Sequence, residues 1–187
     1  MANHCYNMIS LSGSKEMLDL VETRLKEATK EQNNLWYETF FVVLGEEKQE
    51  GNTYDLFGSK WFDFEWVRES ETVATMNGDS AWSPVLEFLV RLSSIYKLKI
   101  NCTYEESGCD FGGWFAVYEG TVVDNRSVSF DEYRYLEDPD SAIESFLDDI
   151  SVGCYDTTEQ ITNHSYWDKL STEEKNVAID TFNQYKS

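Results

Sequence analysis

Residues 5–28, CYNMISLSGSKEMLDLVETRLKEA, decide the fold. Over 5–12, Ile9 and Leu11 take one face while Tyr6 and Met8 take the other, the period of a strand buried on one side. Gly13 ends that run, and Ser14 offers an oxygen to the free amides of a helix start. Leu18, Val21, Leu25 and Ala28 then recur at helical spacing, with Lys15, Glu22, Lys26 and Lys30 elsewhere, so this helix must pack on a sheet. The same order returns at residues 83–104, SPVLEFLVRLSSIYKLKINCTY. Ser83-Pro84 predicts a helix start, with Val85, Leu89, Leu92 and Tyr96 as its apolar face. Leu98, Ile100, Cys102 and Tyr104 predict the buried side of a strand behind it. A strand–helix–strand unit used twice predicts an α+β domain of the ferredoxin-like, split βαβ plan, with helices on one face of an antiparallel sheet.

Between and beyond these units the chain reads as further strands and helices. The run LWYETFFVVL at 35–44 predicts a strand, Gly45 to Asn52 a charged loop, and 60–68 and 71–77 two more strands. In 60–68, Phe62, Phe64 and Trp66 point inward and Asp63 and Glu65 outward. Strands are expected at 114–123 and 127–135, joined by a turn at Asp124-Asn125-Arg126. Asp138-Pro139 opens a helix carrying Ile143, Phe146, Leu147 and Ile150. Ser171 and Glu174 have capping-box spacing for a last helix with Val177, Ala178 and Phe182, and 151–170 reads as irregular. The expected organisation is a ferredoxin-like domain with an added hairpin over 1–135 and an acidic helical extension, packed on it, over 136–187.

Apolar residues make up 41% of the 187 positions and aromatics 15%, enough to exclude a disordered chain. The 35 acidic residues against 15 basic ones give a net charge of −20, which argues against direct contact with nucleic acid or anionic membrane. The excess is uneven: residues 101–160 hold 15 acids and 2 bases, whereas residues 1–100 hold 16 and 10. No apolar run has the length of a membrane span and no signal peptide is visible, so the reading is cytoplasmic, with reduced cysteines.

Chemistry-bearing motifs are scarce. Cys5, Cys102, Cys109 and Cys154 form no C-x-x-C pair, and His4 and His164 stand far apart, so no zinc half-site is recognisable. Neither a phosphate-cradling loop nor a nucleophile elbow occurs. Ser129 and Ile143 occupy the positions where an EF-hand needs its turning glycine. His4, on or beside a strand, reads as a structural histidine. No enzyme activity, cofactor or metal is expected.

Three short motifs occur in order: Asn3-His4-Cys5-Tyr6-Asn7, Ala81-Trp82-Ser83-Pro84, and Tyr104-Glu105-Glu106-Ser107-Gly108 with Phe111 and Gly113. Together they resemble a YubB-like, ferredoxin-like family of bacteriophages and conjugative plasmids; His4 stands where that family usually has Trp. The resemblance implies an accessory protein of a mobile element, in the cytoplasm of a bacterial host.

Charge and resemblance lead to one expectation. Carboxylates held on a stiff scaffold present the potential of a phosphate backbone, and the protein is expected to inhibit a basic host defence protein by mimicking nucleic acid. The expected contact residues are Asp124, Asp131, Glu132, Glu137, Asp138, Asp140, Glu144, Asp148 and Asp149. The alternative is a protein-interaction or assembly domain without such mimicry.

Overall fold

The computed structural model describes residues 3–30 and 33–186. The chain divides into two compact units, Met1–Ser127 and Val128–Ser187. This division falls ahead of the boundary expected at residue 135.

The first unit is built on β1 (His4–Ser12), α1 (Lys15–Ala28), β2 (Asn34–Leu35), α2 (Tyr37–Leu44) and α3 (Thr53–Phe57). It continues through β3 (Phe62–Arg68), β4 (Val73–Ala81), α4 (Leu86–Tyr96), β5 (Lys99–Glu106) and β6 (Phe111–Tyr118), and β7 (Thr121–Val128) ends just past it. The seven strands form one sheet in the order β2-β3-β4-β1-β5-β6-β7. Its centre, β3-β4-β1-β5, is antiparallel throughout, and each helix-linked pair (β1 with β3, β4 with β5) is split by one intervening strand. That is the ferredoxin-like arrangement the repeated strand–helix–strand unit predicts.

Alternation along β1 sends Cys5, Asn7, Ile9 and Leu11 into the core and leaves His4, Tyr6, Met8 and Ser10 exposed. The core also takes Leu18, Val21 and Leu25 of α1 and Phe88, Leu89 and Leu92 of α4. Ser14 Oγ accepts from the Met17 amide as α1 begins. Asn7, fully buried, donates from Nδ2 to Cys5 O at 2.8 Å and Ser80 Oγ at 2.9 Å, which ties β1 to β4.

Several local expectations are corrected. Residues 35–44 are not a strand: only Asn34–Leu35 pairs with β3, and Tyr37–Leu44 is helical. Thr39 Oγ1 accepts from the Trp36 amide at 2.6 Å, and Gly45 closes the helix in the left-handed region at φ 67°. The hairpin turn is Glu119-Gly120, with φ 47° and 81°, so Asp124-Asn125-Arg126 lies inside β7. Positive φ at both central residues is the type I′ pattern of a two-residue hairpin turn, and Gly120 adopts it without strain. Ser83 does not cap α4; its hydroxyl donates to the Gly58 carbonyl, and the helix begins at Leu86.

The second unit contains α5 (Phe130–Glu137), α6 (Pro139–Ser151), α7 (Thr158–Thr162) and α8 (Thr172–Lys186). The strand expected at 127–135 is therefore replaced by the end of β7 and by α5, whose start is capped by Ser129 Oγ accepting from the Glu132 amide at 3.2 Å. The segment 151–170 is less irregular than expected, since it holds α7 and a short 3-10 turn at Trp167–Lys169. Ala142, Phe146 and Ile150 of α6 pack with Ile161, Tyr166, Leu170, Ala178 and Phe182 as this unit's own core. Val177 is exposed instead of joining them. Ser171 and Glu174 satisfy each other's backbone amides, the capping box that their spacing predicts.

Candidate functional site

The acidic surface is best developed on α6. Asp138 caps it, Oδ1 accepting from the Ser141 amide at 3.1 Å, and Pro139 takes the first helical position, where no amide is needed. Ala142, Phe146 and Ile150 fix which side is buried. Asp140, Glu144 and Asp148 follow at four-residue steps on the side away from them, all exposed. Each step advances about 6 Å along the axis. Among the described residues none of these three carboxylates has a hydrogen-bond or ion-pair partner, and α6 contains no basic residue. The whole unit carries 14 acidic and 4 basic residues.

The other expected contact residues divide. Glu137 is exposed at the end of α5, next to the capping Asp138. Asp149 lies on the far flank of α6, with Oδ1 at 3.9 Å from Cys154 Sγ. Glu132 is exposed on the first turn of α5. Asp131 is engaged locally: Ser165 Oγ donates to its Oδ2 at 3.1 Å, and His164 Nε2 lies 3.3 Å from the same oxygen. Asp124 belongs to the first unit, where its Oδ2 accepts from Trp114 Nε1 at 3.3 Å.

Both ring nitrogens of His164 have partners within the second unit. While Nε2 meets Asp131, Nδ1 accepts from the Tyr166 amide at 3.2 Å, and the ring stacks on Phe146 at 4.3 Å. Both nitrogens are committed to holding the 164–166 turn. A cleft of about 290 Å³ opens nearby, walled by Tyr135 and Tyr166, but His164 does not line it.

Burial, reinforced by the Asp131 charge, pushes the Tyr166 hydroxyl up to about 12. Burial with Asp149 and then Asp131 does the same for Tyr155. In the unfolded chain both ionise near 10, so above that pH the unfolded state loses protons that the folded state keeps. The second unit should therefore lose stability from about pH 10 to 12 and show no such loss below pH 9. Thermal unfolding across that range, with tyrosinate absorbance as the titration readout, checks this.

A second grouping was not read from the sequence. The ends of β2, β3, β4 and β1 lie side by side, with Leu35 opposite Phe62, Phe62 opposite Ser80, and Ala81 opposite His4. Just beyond or at these positions stand Trp36, Trp61 and His4. His4 meets Trp61 edge-on at 5.2 Å, and Trp36 lies 6.4 Å from Trp61. His4 lies on β1, as expected, with its side chain 60% exposed on the outward face. One step along the same face, Asp63 and Asp79 are directly paired in register. His4 Nδ1 lies 3.7 Å from Asp79 Oδ2.

Cys5 and Cys102 are free and buried, and burial pushes the Cys5 thiol up to about 12, which removes nucleophilic character at neutral pH. Among the described residues no three His, Cys, Asp or Glu side chains are grouped to hold a metal ion, and no helix is long and apolar enough to cross a membrane.

The family-model comparison agrees with the ferredoxin-like fold. The family model described as the ferredoxin-like domain in Api92-like protein matches residues 61–146, from the start of β3 into α6. The second and third sequence motifs lie inside that segment and the first lies outside it. The crystal structure of the protein api92 from Yersinia pseudotuberculosis superposes with a TM-score of 0.47 at 10% identity, covering 69% of this chain and 99% of that one. No curated protein matches the chain.

Proposed function

We propose that this protein is a non-enzymatic binding protein whose acidic second unit occupies the nucleic-acid groove of a basic protein. The observation that carries the proposal is the stripe of Asp140, Glu144 and Asp148, exposed and without cationic partners on α6. Its axial step of about 6 Å lies close to the roughly 7 Å of axial rise over two phosphates of one DNA strand. Glu137 and Asp138 extend the acidic run at the start of the helix, while Asp131 contributes chiefly to holding the 164–166 turn. Self-repulsion among these charges costs stability, and a small domain needs a net charge of only about 2–8 for solubility. A cationic groove offsets that repulsion on binding and accelerates encounter.

The resemblance to YubB-like proteins supports a setting in a phage or plasmid, with a bacterial host's cytoplasmic defence protein as target. The test is competition. The full chain is titrated against a panel of basic bacterial nucleases and DNA-binding proteins, each with and without bound duplex DNA. Mutually exclusive binding with duplex is expected for at least one member, with affinity falling steeply between about 50 and 200 mM salt. Simultaneous binding of chain and DNA by every responding member, or no response at all, overturns the reading.

A further inference from the structure

We infer that the outward face at the Trp36–Trp61–His4 end of the sheet is a docking site for an arginine side chain of a basic polypeptide. Three observations converge in the first unit. Trp36 is 47% exposed and sits beside half-buried Trp61, whose ring meets His4 across the small Ala81. Strand alternation puts Trp61 and Asp63 on one face, and likewise His4 and Tyr6, and Ala81 and Asp79. The aromatic row therefore borders a row holding Asp63, Asp79 and Tyr6, and Glu105 follows opposite Tyr6.

Asp63 and Asp79 carry like charges at directly opposed positions, an arrangement that weakens a sheet. Neither has a lysine or arginine partner among the described residues, and neighbouring Lys60 forms no ion pair there. A guanidinium satisfies the whole group at once: it stacks on an indole face while its fork donates to carboxylates. A neutral sugar would also stack on the indoles but would leave the paired charges uncompensated. The site lies in the first unit and does not depend on the α6 stripe.

The test uses the full chain and a capped glycyl-arginyl-glycine peptide, followed by NMR at the indole N–H resonances. The Trp36 and Trp61 signals are expected to shift and saturate. The Asp63→Asn/Asp79→Asn variant should bind the peptide at least about fivefold more weakly while unfolding at no lower temperature, because it removes repulsion. Neutralising Asp140, Glu144 and Asp148 should leave the peptide affinity unchanged. The inference is overturned if the peptide leaves both indoles unmoved, if the aspartate variant binds equally well, or if a neutral disaccharide shifts them as strongly.

Discussion

Alanine in place of Phe40 is expected to cost about 3–5 kcal/mol of stability, the range for emptying a buried phenylalanine site. Phe40 is fully buried, stacked on Phe57 of α3 at 4.5 Å and edge-on to Phe88 of α4 at 5.1 Å. Its removal takes a ring from the point where three helices meet and leaves a cavity that packed surroundings relax into only in part. Domains of this kind hold about 5–15 kcal/mol in all, so the loss is a large share. Urea unfolding followed by tryptophan fluorescence should show a much lower midpoint. A shift below about 1 kcal/mol would mean that α2 does not pack as described.

Gly78→Ala is expected to be comparably severe, at about 3 kcal/mol or more, because the space for a methyl group is filled by backbone. A Cβ at this position would stand 2.1 Å from the Asp63 carbonyl oxygen and 2.6 Å from Phe64 Cα. Flexible side chains can retreat from such a clash, but strand β3 cannot without breaking its ladder to β4. Gly78 also faces Asn7 in the register with β1, so the damage reaches the centre of the sheet. Thermal melting and amide exchange in β3, β4 and β1 check this. Near-native melting would show that the strands have room to spread.

Much of the fold was legible where burial imposes one clear period. β1 with α1, and α4 with β5, alternate or repeat so regularly that the ferredoxin-like plan follows from them. The run 35–44 failed for the opposite reason: Phe40, Phe41, Val43 and Leu44 are all buried, and a short run apolar on most sides has no readable period. Helix α5 had a usable signal, since Ser129 and Glu132 have the spacing of a helix start, but the aromatic residues of 130–135 favoured a strand. Asp124-Asn125-Arg126 has turn-forming composition yet lies inside β7, and the turn forms at Glu119-Gly120, where a lone glycine is a weaker signal.

The two candidate sites differ in the same way. The α6 stripe is local, so capping residues, apolar face and carboxylates all appear within 138–150. The aromatic and acidic face of the sheet draws on residues 4, 36, 61, 63 and 79, which only strand order brings together. No window of sequence contains that signal.

The central claim is that organised carboxylates on α6 meet a cationic groove. Its most direct test is the affinity of the Asp140→Asn/Glu144→Gln/Asp148→Asn chain for a basic protein that the wild-type chain engages in competition with duplex DNA. Circular dichroism and melting serve as the control for folding. Three surface charge contacts at about 0.2–1 kcal/mol each predict roughly tenfold weaker binding and a shallower dependence on salt. Unchanged affinity with an unchanged salt slope would contradict the claim.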